Sequence, residues 1–205
     1  MEVGTPGWSW KLGPASAASG SAYVEAEEVK VLAVVNGPKE YSVYAGADEY
    51  LRHTQATIDL TISPHSCLTQ PLLSALESVL LLSRYQKSVI EVQVTVLCGA
   101  PTPSLAYCLL ACSLACVDAG IEMRDTLSAS TAYITGGNLS LNRAVDQPNA
   151  WLTLGYLPNV GEAALIVQEG KVSPQDFVRL LQVAEAGAKK LYEMVKEGVR
   201  TIEEK

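Results

Sequence analysis

The sequence predicts a mixed α/β chain of the α+β kind, with mixed sheets packed with helices and no regular strand-helix alternation. Three observations carry this. Strand-like runs recur along the chain between Gly, Pro and Asn turns; the stretch 104–117 is uncharged and apolar; and the C-terminal region holds one amphipathic pattern with a capped start.

Taken in order, residues 1–19 are rich in Gly, Ser, Ala and Pro with isolated Trp8 and Trp10, and read as an extended N-terminal arm before a single domain, 20–205. Tyr23 to Glu28 and Val29 to Val35 form two strand-like runs, the second nearly all apolar and closed by the turn Asn36-Gly37-Pro38, which predicts a hairpin with a central strand. Thr57 to Ile62 alternates polar and apolar residues, the pattern of a half-buried strand, and Pro64 stops it. From Cys67 to Leu82, Leu68, Leu72, Leu76, Val79 and Leu80 recur at helical spacing, and a strand follows over Val89 to Leu97.

A break at Cys98 to Pro103 precedes the apolar helix Ser104 to Val117, which ends near Asp118-Ala119-Gly120 with glycine in its usual C-terminal place. That window is too short for a bilayer span, which takes about 20 residues, and suits a buried core helix. Ala129 to Ile134 and Leu139 to Leu141 flank Gly136-Gly137-Asn138, a second hairpin signal. Trp151 to Tyr156 and Ala163 to Gln168 add two strands. Ser173-Pro174-Gln175-Asp176 then supplies an N-cap, a proline at the first helical position and an acid in the first turn. Phe177, Leu180, Leu181, Ala184, Ala188, Leu191, Met194 and Val195 line one face of the helix that follows.

Composition narrows the function. The 205 residues are 48% hydrophobic and 18% charged, enough for a conventional core without a metal or disulfide staple. With 15 Lys+Arg against 22 Asp+Glu and a net charge of -7, the chain lacks the broad positive field of a free-standing nucleic-acid binder. An acidic subunit of a larger assembly and a small-molecule enzyme both fit. The five cysteines include no CxxC pair, which suits a reducing compartment. Cys108, Cys112 and Cys116 fall on one helix face; a metal would need a fourth ligand, for which only His53 and His65 are available, and inert packing is the expected use. Neither histidine has a metal-pair or triad spacing, and both are expected to be solvated. The N-terminus has no basic leader or apolar run of a secretory signal.

Gly20-Ser21-Ala22-Tyr23-Val24-Glu25-Ala26 and Lys30-Val31-Leu32 through Gly37-Pro38 are similar to the opening hairpin of the RNase PH family, and Ser104 to Met123, ending in Asp118-Ala119-Gly120-Ile121-Glu122-Met123, resembles its apolar helix. The resemblance covers roughly residues 20 to 200. It implies an RNase PH-like fold of the ribosomal protein S5 domain 2-like type. GSAYVEA, RYQKSVIEV and DAGIEMRD look most like the Mtr-type ring subunit of the eukaryotic RNA exosome, with the Rrp46-like subunit as the near alternative. The arm lacks the R.DGR stretch usual in the family. The resemblance further implies a heterodimer with another RNase PH-like subunit within a six-membered ring, an S1/KH cap subunit, RNA passing through the channel, no membrane, and residence in nucleus, nucleolus and cytoplasm, with a part in RNA and rRNA processing and degradation.

Active relatives hold phosphate with a DGGTR turn at the start of the apolar helix, and here that turn falls on Pro101-Thr102-Pro103-Ser104-Leu105. Two prolines remove backbone donors, and Leu105 stands where the arginine would be. The family's arginine-rich helix falls on Cys67 to Glu77, with Gln70, Ser74 and Glu77 in place of cations. Its carboxylates fall on Ser140 and Trp151, leaving Asp146 alone between them. The resemblance therefore implies a catalytically inactive subunit with no catalytic residue, no cofactor and no metal. Arg52, Arg84 and Lys87 are the cations singled out for RNA or partner contact. The alternatives are an active phosphate-dependent 3′-5′ exoribonuclease whose site a neighbouring subunit completes, and a stand-alone interaction domain that keeps only the fold.

Overall fold

The computed structural model describes residues 3–5, 8–26, 28–40, 54–142 and 148–203. Strands β1 (Val3–Thr5), β2 (Trp8–Leu12), β3 (Gly20–Ala26), β4 (Val29–Glu40), β5 (Thr57–Ser63) and β6 (Ser88–Cys98) form one sheet in the order β1-β2-β3-β4-β6-β5. All its pairs are antiparallel except β5 with β6. Strands β7 (Ser128–Thr135), β8 (Asn138–Leu141), β9 (Ala150–Leu157) and β10 (Glu162–Gly170) form a second, antiparallel sheet ordered β10-β9-β7-β8. The helices are α1 (Thr69–Val79), α2 (Pro101–Asp118) and α3 (Pro174–Glu203).

Helix α2 packs against β3 and β4 of the first sheet and β7 of the second, so it is apolar all round rather than on one stripe. Small residues allow both sheets to approach: Ala106, Cys108, Ala111, Cys112, Ala115 and Cys116 are all buried. By length and composition α2 could cross a membrane, yet most of it is buried inside the protein. Helix α3 covers the outer face of the second sheet, where Leu180, Ala184 and Ala188 meet Ala132, Ile134, Leu152 and Leu154. Strand β7 is thus buried on both faces and reads as a run of small and apolar residues, whereas β4 alternates buried and half-buried positions.

The cysteines of α2 pack its core face. Burial pushes the Cys108 and Cys116 thiols up to about 12 and holds Cys112 well above its ordinary value. Cys67 and Cys98 are exposed. At pH 8 a thiol reagent is expected to label these two in the native chain and all five in urea, as read by intact mass. The folded chain keeps buried thiol protons that the unfolded chain releases above its ordinary thiol value of 9.0, so this stability is present below pH 9 and lost as pH rises towards 12.

Several boundaries differ from expectation. The helix expected over Cys67 to Leu82 is α1 alone, Thr69–Val79, because Leu80 turns extended and bridges to Met123. Helix α2 begins at Pro101, not after the prolines, with Ala100 as N-cap. Prolines fit this first turn because its amides have no intrahelical acceptor to lose. Asn36-Gly37-Pro38 does not close β4, which runs on to Glu40 through a bulge between Asn36 and Lys39; Gly37 takes φ +130 there, a conformation open to glycine. The other turns are as expected: Gly136 and Gly137 take φ +57 and +85 between β7 and β8. At the end of α2, Gly120 takes φ +68, its N–H donates to Val117 O, and Ile121 N–H donates to Cys116 O. Residues 8–12, in the stretch expected as an arm, pair with β3, and Trp10 is fully buried.

Candidate functional site

A cavity of about 500 Å³ opens at the N-terminus of α2, lined in part by Ala100 from the β6–α2 turn, Thr102 and Pro103 from the first turn of α2, and Glu28 from the β3–β4 turn. The two turns are packed together, because a Cβ on Gly99 would fall 3.0 Å from Val29 Cγ2. Tyr133, Trp151 and Glu169 of the second sheet also line it, as do Pro148 and Asn149.

Register explains this second wall. Ser140, Tyr133, Trp151 and Glu169 are direct cross-strand partners, so they form one row across β8, β7, β9 and β10. Alternation turns this row away from α3, since its strand neighbours Ala132, Ile134, Ala150 and Leu152 pack against that helix. The positions laid on the family's carboxylates, Ser140 and Trp151, therefore share one row but stand two strands apart, on either side of Tyr133, and of the two Trp151 lines the cavity. Asp146 lies outside the described residues. At the edge of the cavity Gly170 takes φ +95, and a Cβ there would lie 2.4 Å from Asn149 O.

The head of α2 offers little to an anion. Pro101 and Pro103 have no N–H, and Ser104 N–H donates to Ala100 O at 3.2 Å, which leaves Thr102 as the free donor among these positions. Ser104 is fully buried and its hydroxyl donates to Ala100 O at 2.6 Å. Leu105 is 1% exposed and belongs to the core around α2, away from the cavity. Among the described residues the charged side chains of the lining are Glu28 and Glu169, both carboxylates. Gln70, Ser74 and Glu77 lie on the exposed side of α1 and bring no cation.

His65 differs from the solvated side chain expected. It is half-buried, and its Nε2 lies 3.0 Å from Gly99 O, so Nε2–H donates and ties the start of the α1 segment to the turn before α2. His53 and Arg52 lie outside the described residues. Arg84 and Lys87 are exposed near the start of β6, Arg84 at 3.7 Å from Glu122, and Lys87 with φ +58. Since β6 runs for 11 residues at about 3.3 Å each, it separates both cations from the head of α2. Among the described residues, no group of three or more His, Cys, Asp or Glu is disposed to hold a metal ion.

Sequence reasoning missed Glu28, Tyr133 and Glu169. Tyr133 was accessible in principle, because the Gly136-Gly137 turn sets its pairing with Ser140. The Tyr133 hydroxyl is buried with no hydrogen-bond partner among the described residues, and burial, with Tyr107 nearby, holds the phenol well above its ordinary value. It stays protonated at neutral pH.

A two-sheet fold with an enclosed apolar helix, and a concave site at the head of that helix, defines an RNase PH-type domain. Residues 9–122 match the RNase_PH family, described as the 3′ exoribonuclease family, domain 1, and the chain belongs to that family. It is 31% identical to human exosome complex component RRP41, over 93% of this chain and 84% of that protein. It is 30% identical to exosome complex component Rrp41 of Cenarchaeum symbiosum (strain A), over 89% of this chain and 81% of that one. The structure of rice (Oryza sativa) Rrp46 superposes with a TM-score of 0.84 at 19% identity, covering 94% of each chain, and so shares the fold.

Proposed function

We propose that this chain is a non-catalytic RNase PH-like subunit of an exosome core ring, with a structural part in the RNA processing and 3′-5′ degradation performed by the complex. One observation carries the reading: the cavity where phosphorolysis would occur meets an incoming phosphate with two prolines and two carboxylates and with no described cation. Phosphoryl transfer is catalysed mainly by positioning and by stabilising negative charge, and this lining works against both. Two relatives that match along most of the chain are named exosome complex components, which supports ring membership. Exposed Leu97, Ile166 and Val178 suit partner contact.

The partners are another RNase PH-like subunit beside it, an S1/KH cap subunit, and RNA in the channel; no membrane is involved. The segments GSAYVEA, RYQKSVIEV and DAGIEMRD favour the Mtr-type place, with the Rrp46-like place next. Nucleus, nucleolus and cytoplasm are the compartments. Arg84 and Lys87 are the described cations for RNA or partner contact.

The test is phosphate-dependent release of nucleoside diphosphates from a short 3′-hydroxyl RNA. The chain alone, and the chain paired with an RNase PH-like neighbour whose own site is disabled, are both expected to release none above background. Release by the pair that E169Q abolishes would establish a shared active site instead. Size-exclusion with candidate neighbours is expected to show a stable heterodimer; a chain that stays monomeric with all of them would be a stand-alone domain.

A further inference from the structure

We propose that the cavity at the head of α2 receives the guanidinium of an arginine carried on a segment of a protein partner. The inference rests on the reading that this cavity no longer grips orthophosphate, and it assigns the cavity a ligand of the opposite charge.

The cross-strand row carries the argument. Trp151 stands at the centre, with Tyr133 on the strand to one side and Glu169 on the strand to the other, each about 4.8 Å away. A planar guanidinium stacked on the indole would have its edge N–H groups directed at both flanking residues. Glu169 supplies a carboxylate with no ion-pair partner among the described residues, and Glu28 supplies a second from across the cavity. Arginine's rigid fork of five donors suits this arrangement better than the compact ammonium of lysine.

Tyr133 provides an independent sign. Its residue is 2% exposed and its hydroxyl has no hydrogen-bond partner among the described residues, whereas a buried phenol ordinarily finds one. A guanidinium N–H donated to this oxygen would satisfy it. Pro103 and Pro148 offer apolar walls for the methylene stem. Pro103, which withholds an N–H from an anion, thus offers an apolar surface to the stalk of a cation.

The cation is on a protein because of where the cavity lies. Strand β10 is the outer strand of its sheet, and Glu169 and Gly170 close its C-terminal end with both residues exposed. A segment lying along this edge meets unpaired backbone groups, and the cavity beside it has room for a long side chain.

The test uses the full chain labelled with 15N, alone or with its ring neighbour, and follows the indole N–H of Trp151. This is one of three tryptophans and is assigned by its loss in W151F. N-acetyl-arginine amide is expected to shift this signal saturably, while its neutral isostere N-acetyl-citrulline amide and orthophosphate leave it in place at matched ionic strength. E28Q with E169Q should weaken the arginine probe about tenfold or more, and Y133F by a few-fold. The proposal falls if the arginine probe gives no saturable shift, if citrulline matches it, or if orthophosphate moves the signal. Tighter binding of N-acetyl-lysine amide or of spermidine would also overturn it, in favour of a point charge or a free polyamine. Turnover in the phosphorolysis assay would sink the inert reading whatever the titration shows, whereas a silent titration without turnover sinks this inference alone.

Discussion

Replacing Gly20 by alanine is expected to destabilise the protein by about 3 kcal/mol or more, among the larger effects for a single added methyl group. A Cβ at this position would lie 2.2 Å from Ala119 N, 2.5 Å from Ala115 O and 2.7 Å from Ala119 Cα. All three are backbone atoms of the last turn of α2, so no side-chain rotation relieves the clash. That turn is also held in place. Ile121 and Gly120 close it with their N–H groups, and the Ser21 N–H donates to Asp118 Oδ2 at 2.8 Å. The methyl group must therefore push α2 away from β3, and α2 is the helix on which both sheets pack. For a chain of this size each kcal/mol lowers the melting temperature by about 2–4 °C, so G20A should melt about 6–12 °C below the parent. Gly136 is the control: it has open space around it, and its φ of +57 makes alanine cost about 1–2 kcal/mol through strain alone. If the two variants melted alike, the close approach of helix and strand at Gly20 would be disproved.

That contact shows why the fold was largely legible and its tolerances were not. Period-two runs, the Gly136-Gly137 turn and the Ser173 cap depend on residues near one another in the chain, and each predicted element exists. Ser173 accepts from Asp176 N–H at 3.1 Å, a bond that three-residue spacing alone can suggest. Gly20, by contrast, needs to be glycine because of Ala115 and Ala119, and no local pattern records that. The same holds for Asn36-Gly37-Pro38, whose turn chemistry was real but was overridden when β6 offered pairing out to Glu40.

The site divides in the same way. Its departures from the family motif were visible, because Pro101, Pro103 and Leu105 can be compared with that motif position by position. The rest of the cavity lining was hidden, because Glu28, Tyr133 and Glu169 meet only through the packing of two turns and the register of three strands. By the resemblance alone, Trp151 simply stands where an acid would be. Only the register shows it between a phenol and a carboxylate.

Writing the family's guanidinium back into the chain is expected to fail, and L105R is the informative variant. Leu105 is 1% exposed within the core around α2 and is not part of the cavity lining. An arginine there must bury an unpaired charge among apolar neighbours, which costs about 3–5 kcal/mol, a large share of the roughly 5–15 kcal/mol that stabilises an ordinary domain. The expected result is a chain recovered insoluble, or one whose urea midpoint falls far below the parent. T102R separates folding from chemistry, because residue 102 is only half-buried at the cavity rim and its guanidinium need not enter the core. T102R is expected to fold with a loss of about 1 kcal/mol or less, as for other surface changes, and still to release no nucleoside diphosphate. On the proposed reading, one added cation does not replace the N–H donors that Pro101 and Pro103 lack, and it leaves Glu28 and Glu169 in the lining. Should L105R fold like the parent and turn over RNA with phosphate while the parent does not, the proposed inactivity would trace to a single residue, and the prolines and carboxylates at the head of α2 would have no bearing on it.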